Sequence, residues 1–447
     1  MAKRSFTFLL LFFFIGASCR PQTLWVIGYY PSWNRASFPA SAVDFGRLTH
    51  LMHAFAWPQS DGSLAYYPQL LDPELNARAH AAGKVILLSL GGWGNSAGFS
   101  PVAADSALRR RFVDELCAFI LEHQYDGVDI DWEFPASAAD RANMVILVKE
   151  LREKFNQLAR PQKLWITMAV SAGDYYGQWF DYKRLLPYVD FFGCMTYDFH
   201  GPWTNHAGHN SPLFPSGGDI DGSVSSGVAY LKSRGLPNEK IVIGVPFYGR
   251  EFNASRLYGP STGGDITYPY SQIVKFLAAG WLYHWDSVAQ VPYLTNPDAT
   301  RLITFDDTAS VRLKAEYALK QKLAGVMIWA LGQDYLNGRQ PLLGALTAPI
   351  LSATVAAAPS SNRFDLTIFP NPFNHVAVLH FELPSPQPVE IRICDAAGRR
   401  LETLVHGFLP AGSHASTFNG VGFASGVYYA VLQTPSFSTV RPFTLIK

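Results

Sequence analysis

An α/β fold, a (β/α)8 TIM barrel with a small insertion between strands 7 and 8 and an all-β sandwich after it, is what three features of this sequence predict. Eight apolar strand-like runs recur at residues 24–33, 50–57, 84–93, 125–134, 163–172, 190–199, 240–250 and 323–331. Between many of them lie stretches with apolar residues at helical spacing, such as 104–123, 138–158 and 308–322. After Ala348 the pattern changes to short alternating runs broken by Pro, Gly and Asn. Strands that are apolar almost throughout are those buried on both faces, and eight of them alternating with helices point to a barrel, with a doubly wound sheet as the lesser alternative.

In chain order, the N-terminus comes first. Lys3 and Arg4, an apolar run over residues 6–15 and the small residues Gly16, Ala17 and Ser18 form a secretory signal peptide over 1–19, too short to span a bilayer comfortably. Cys19 follows the small residues as at a lipidation site, but Gly16 stands where such sites carry a branched apolar residue. The barrel is expected over 20–350. Its stretch 251–302 exceeds one helix and holds Tyr258, Tyr268, Trp281, Tyr283 and Trp285, which points to an inserted subdomain forming one wall of a cleft; a long decorated loop is the alternative. A linker of Ala, Ser, Thr and Pro is expected over 351–363, then a β-sandwich over 364–447 with strand runs at 366–369, 376–382, 389–394 and 427–432. No later segment is long and apolar enough for a membrane helix.

Composition narrows the partner. Lys and Arg total 36 against 35 Asp and Glu, a net charge of +1, so there is no electrostatic footprint for nucleic acid or an anionic membrane. An uncharged partner fits, and the 31 Phe, 21 Tyr and 11 Trp include candidates for stacking on sugar rings, although core packing explains most of them. Cys117, Cys194 and Cys394 are too scattered for a disulfide framework or zinc spacing and are expected to be buried thiols. His200, His206 and His209 show no ligand spacing either, so they are expected to be solvated loop residues, with no metal and no cofactor.

The chemistry is concentrated in one run, from Asp126 to Glu133. On a strand, Asp129, Asp131 and Glu133 share one face while Val128, Ile130 and Trp132 share the other. Three crowded carboxyls cannot all ionise cheaply in a poorly solvated place, so at least one keeps its proton near neutrality and serves as a general acid. A solvated acidic edge strand or a calcium site are the alternatives, but Gly127, the aromatics and Pro135 suit a strand ending in a catalytic mouth better. Acids rising from one strand approach a sugar from one side and cannot flank it as acid above and nucleophile below. The acetamido oxygen of a 2-acetamido substrate can supply the nucleophile instead, with Glu133 protonating the leaving oxygen and Asp131 steadying the acetamido N–H.

The run Asp126-Gly-Val-Asp-Ile-Asp-Trp-Glu133 resembles the signature of the glycoside hydrolase family 18 chitinases. Ser89-Leu-Gly-Gly-Trp93, Met195-Thr-Tyr-Asp-Phe-His-Gly201, Tyr248-Gly-Arg250 and Gly325-Val-Met-Ile-Trp-Ala-Leu331 match further motifs of that family over about residues 24–335. The resemblance implies a secreted chitinase acting on chitin or chito-oligosaccharides, with Glu133 as acid and later base, Asp131 as the acetamido partner and Asp129 sharing a proton with Asp131. It further implies that Tyr197 bonds the acetamido oxygen, that Trp329 floors the pocket, and that Tyr29, Phe55, Trp93, Met195, Asp198, Tyr248 and Arg250 line the subsites. Trp203 is expected to stack on the leaving side. Relatives acting on N-glycans or peptidoglycan, and non-hydrolytic chitin-binding lectins, are the alternatives; the lectins typically lack the final acid, which is present here. At the C-terminus, Phe369-Pro-Asn-Pro-Phe-Asn374, Asp395-Ala-Ala-Gly-Arg399 and Ala424-Ser-Gly-Val-Tyr428 resemble the type IX secretion (Por system) sorting domain, which implies export across an outer membrane by that machinery; a carbohydrate-binding module is the competing reading. A monomer is expected.

Overall fold

The computed structural model describes residues 24–158, 162–217, 219–357, 366–383, 385–435 and 437–447. The expected signal peptide, Cys19 and the second part of the expected linker, 358–363, lie outside them. The chain forms two compact units that divide between Thr354 and Val355.

The first unit is a closed barrel of eight parallel strands: β1 (Trp25–Pro31), β2 (His50–Pro58), β3 (Val85–Gly91), β4 (Gly127–Asp131), β5 (Trp165–Ser171), β6 (Phe191–Met195), β7 (Ile241–Pro246) and β8 (Gly325–Trp329). Neighbours in sequence pair in order, and β8 closes on β1 with Trp25 opposite Gly325 and Gly28 opposite Ile328. Each of the eight apolar runs contains a barrel strand. Alternation along each strand makes two cores. Ile27, Met52, Leu87, Val242 and Met327 fill the barrel, whereas Val26, Leu51, Leu88, Val128 and Ile328 pack outward with helix residues such as Phe112, Leu116, Val148 and Leu151. The helices follow the expected stretches and are capped by side chains: Asp105 accepts from the backbone at the start of Ser106–Glu122, Ser137 at the start of Ala138–Gln157, and Asp307 at the start of Thr308–Lys320.

The insertion is a folded subdomain: a five-stranded antiparallel sheet with one helix, Tyr270–Ala278. Its strands lie in the order Thr262–Pro269, Tyr248–Asn253, Leu302–Thr304, Val291–Thr295 and Leu282–Asp286, around a core of Ile273, Trp281, Leu294, Ile303 and Phe305. It begins earlier than the sequence indicates. The run 240–250 is two strands, because β7 stops at Pro246 and Tyr248–Arg250 pair with 267–269 of the insertion.

Helix Pro341–Ala357 replaces the first part of the expected linker. The Ala-rich composition that marks a linker also favours a helix once Leu342, Leu343, Leu346 and Ile350 bury one side of it. The second unit consists of a three-stranded sheet (Leu366–Phe369, Val376–Leu383, Gly412–Asn419) and a four-stranded sheet (Arg400–Leu409, Gln387–Cys394, Gly426–Gln433, Ser438–Leu445), with Leu379, Phe381, Ile391, Ile393, Phe418, Leu432 and Phe443 in its core. Cys117, Cys194 and Cys394 are buried free thiols. No helix among the described residues is long and apolar enough to cross a membrane.

Candidate active site

Strand register builds the floor of the site. Ser89 on β3 and Thr167 on β5 stand directly opposite Asp129 on β4, so two small hydroxyls flank a carboxyl that is almost fully buried. Asp129 Oδ2 accepts from Ser89 Oγ at 2.8 Å and from the hydroxyl of Tyr29, on β1, at 2.7 Å, while Oδ1 accepts from Thr167 Oγ1 at 2.7 Å. Burial raises the Asp129 carboxyl and these three donors pull it back. Asp131 lies on the same face of β4 two residues on, so the two carboxyls are neighbours along the strand. Composition gives no hint of Ser89 or Thr167 as partners; only their position as hydroxyls within apolar strands marks them.

Asp131 lies one pleat further, opposite Gly91. A side chain at Gly91 would place its Cβ 2.2 Å from the Asp131 carbonyl oxygen, and φ there is +105°, so only glycine lets β3 end so close to β4. Gly92, at φ +79°, makes room in the same way for the ring of Phe55. Asp131 Oδ1 is buried with no hydrogen-bond partner among the described residues. Burial first, then the charges of Glu133 and Asp129, hold this carboxyl well above the usual range.

Glu133 stands just beyond the end of β4 rather than on it, and its backbone N–H donates to Ser96 Oγ at 2.9 Å. Burial, and next the charge of Asp198, push its carboxyl up to about 7. It thus keeps its proton in about half of the molecules at neutrality, where an ordinary glutamate would have lost it almost entirely. Asp198, at φ +57°, is itself held from the insertion: Oδ1 accepts from the Tyr248 hydroxyl at 2.6 Å and from Arg250 Nε at 2.7 Å, and Asn210 Oδ1 accepts its N–H at 3.1 Å. Arg250 also donates to the Gly264 carbonyl at 2.7 Å and lies 5.1 Å from the Trp203 ring. The Tyr197 hydroxyl is held far above its ordinary range by burial and by Asp131, Glu133, Asp198 and Asp129, so it stays a donor.

Aromatic rings surround these acids. Trp329 at the end of β8 stacks on Phe55 with ring centres 5.8 Å apart, and Tyr29 meets it edge-on at 5.5 Å. Met195 and Tyr197 pack in the same cluster. Trp93 and Trp203 are 76% and 59% exposed, a large apolar surface left open to a ligand. The peptide bonds Ala54–Phe55, Glu133–Phe134 and Trp329–Ala330 are cis. Most of the expected site residues fall at the C-terminal ends of the barrel strands, in the loops beyond them or on the adjoining insertion, the end of the barrel that carries chemistry in this fold, while Asp129 lies mid-strand in β4.

The histidines depart from expectation. His200 and His209 are fully buried, not solvated: His200 Nδ1 lies 2.8 Å from the His209 carbonyl, and His209 Nε2 lies 3.2 Å from Asp286 Oδ2 of the insertion. Those partners let the loop fold inward.

Residues 25–334 match the Glycosyl hydrolases family 18, and residues 367–445 match the Secretion system C-terminal sorting domain. The chain is 33% identical over 337 residues to Probable chitinase 2 of Drosophila melanogaster, covering 70% of this chain and 68% of that one. To the Probable endochitinase of Caenorhabditis elegans it is 34% identical over 348 residues, covering 69% and 56% respectively. The chain therefore spans little more than half of the second relative. The crystal structure of Ostrinia furnacalis Group IV chitinase superposes with a TM-score of 0.69 at 31% identity, covering 74% of this chain and all of that one.

Proposed function

Since the chain belongs to the family 18 glycosyl hydrolases, we propose that it is a chitinase that hydrolyses β-1,4-linked N-acetylglucosamine polymers with retention of configuration, using the substrate's own acetamido group as nucleophile. One observation carries the reading: Asp131 Oδ1 is buried with no partner among the described residues, two positions before Glu133, whose carboxyl is pushed up to about 7. A buried acceptor left unpaired is costly, and the acetamido N–H of a bound sugar is the donor that fits it.

In the first step Glu133 gives its proton to the glycosidic oxygen as the bond from that oxygen to C1 breaks. The acetamido carbonyl oxygen forms a bond to C1 on the opposite face, giving a cyclic cation whose charge is shared with the N–H. Asp131 accepts that N–H and stabilises the charge, and the Tyr197 hydroxyl orients the carbonyl oxygen. Asp129, tied to Tyr29, Ser89 and Thr167, keeps the strand fixed beneath Asp131. In the second step water attacks C1 from the vacated face, Glu133 takes its proton, and the bond from C1 to the acetamido oxygen breaks. Two displacements at C1 retain its configuration. Trp329 floors the reacting sugar, with Trp93 and Trp203 stacking on its neighbours.

The sorting-domain match supports the rest of the reading. The protein is secreted, and type IX machinery acting on the C-terminal unit would export it. Glu133→Gln tests the catalytic proposal: hydrolysis of a chitin pentamer should fall by at least about 100-fold while the variant still binds the oligomer, and early NMR spectra of wild-type digests should show the β-anomer first. Undiminished turnover in Glu133→Gln, or an α-anomer first, would refute it.

A further inference from the structure

Outside the catalytic acids, four side chains converge that the mechanism does not use: His200, His206, Asp219 and Asp221, one ligand atom of each lying within 4.8 Å of all the others. They come from the loop after β6 and from the segment leading into helix Val224–Ser233. We propose that they form a zinc site that staples this loop.

Three observations carry the assignment. His200 is fully buried, its Nδ1 faces the His209 carbonyl at 2.8 Å, and its Nε2 makes no hydrogen bond of good geometry among the described residues, although two carboxylate oxygens lie 3.3 Å from it. A carbonyl only accepts, so Nδ1 carries a proton; Nε2 faces only carboxylate oxygens, and in the neutral ring it presents its lone pair inward, the arrangement by which a backbone carbonyl orients a metal-binding imidazole. Gly208 permits it: a Cβ there would sit 2.3 Å from His200 Nε2.

The spacing is the second observation. His200 Nε2 lies 3.3 Å from Asp219 Oδ2 and 3.3 Å from Asp221 Oδ2, and His206 Nε2 lies 3.1 Å from Asp221 Oδ2. A tetrahedron of nitrogen and oxygen ligands about 2.0–2.1 Å from zinc has edges of about 3.3 Å. Three of the six separations are edges of that size, and all four atoms lie within 4.8 Å of one another. Two carboxylates aimed at one imidazole nitrogen are mismatched for a single N–H, which can serve only one of them.

The donor set is the third. Two imidazoles with two carboxylates suit zinc, whereas calcium and magnesium take oxygen. With neutral imidazoles, two carboxylates balance the charge of one zinc ion. His206 is oriented like His200, its Nδ1 lying 3.2 Å from Asn205 Oδ1. The loop pinned in this way carries Trp203, which lies under Arg250, and follows Asp198, so the metal would hold one side of the cleft in place.

The test uses the full chain, free of affinity tags. It is stripped with chelator and dialysed against buffered micromolar zinc, and metal content is then read by mass spectrometry and barrel unfolding by calorimetry. One zinc per chain is expected, raising the unfolding temperature by a few degrees. Asp221→Asn and His206→Gln alter ligands that are partly exposed, so folding does not depend on them. Each should weaken zinc binding by more than about 100-fold, since even outer partners of a zinc ligand cost 10–100-fold, and should abolish the thermal shift. A wild-type chain that takes up no zinc would overturn the proposal and leave an imidazolium held by carboxylates. Uptake that both variants retain would overturn it equally.

Discussion

Asp198→Asn tests how the insertion controls the catalytic proton. Asp198 adopts φ +57°, a conformation asparagine also tolerates, so the backbone is preserved while one negative charge is removed. Glu133 is raised from 4.5 to about 7, burial being the larger cause and Asp198 the second. Its removal should therefore move the pKa of the acid down by less than half of that rise, about one pH unit. Arg250 loses its carboxylate partner in the variant and pulls in the same direction. A general acid works only while protonated, so kcat/KM of the wild type should fall as pH rises through about 7. In Asp198→Asn the fall should begin about one unit lower, an extra loss of up to about tenfold at pH 8 beyond any change in the acidic plateau. The assay is kcat/KM from pH 4 to 10 on a fluorogenic chito-oligosaccharide. An alkaline limb that stays in place or moves upward would refute the reasoning.

Three further outcomes follow from the same geometry. The folded state keeps the Glu133 proton up to about 7 while the unfolded chain releases it near 4.5, so stability is lost as pH rises through that window and the whole cost is present above it; Glu133→Gln should therefore gain up to about 3 kcal/mol at pH 8 and nothing below pH 4 in denaturant unfolding, and an equal gain at both pH values would contradict the assignment. Thr167→Val keeps shape but removes a fully buried donor to Asp129, and should cost about 1–3 kcal/mol together with activity; an unchanged unfolding midpoint would show that the hydroxyl is dispensable. Trp93→Ala should raise KM for long oligomers several-fold with stability within about 0.5 kcal/mol, as expected for an exposed ring, whereas a collapse of stability would make Trp93 a core residue.

The barrel was legible because buried parallel strands read as continuous apolar runs, and the acids were legible because charges in such a run are conspicuous. What was not legible depends on register and long-range contact. Ser89 and Thr167 become partners of Asp129 only once β3, β4 and β5 pair, and no local pattern shows that a serine and a threonine about 40 residues to either side share one carboxyl. Apolar continuity also hid the change of sheet after Pro246, since Tyr248–Arg250 continue the run while pairing elsewhere. The buried histidines were missed for a similar reason: the groups facing them come from Asp219, Asp221 and Asp286, far beyond the spacing at which a ligand motif is recognised.

The central claim is that a sugar's acetamido group completes this site, and the most direct measurement compares hydrolysis of a fully N-acetylated oligomer with that of its fully deacetylated counterpart. Without the acetamido group the nucleophile and the partner of Asp131 are both absent, so cleavage of the deacetylated chain should fall to background. Comparable rates on the two would mean that an enzyme group attacks C1, and the account would be wrong.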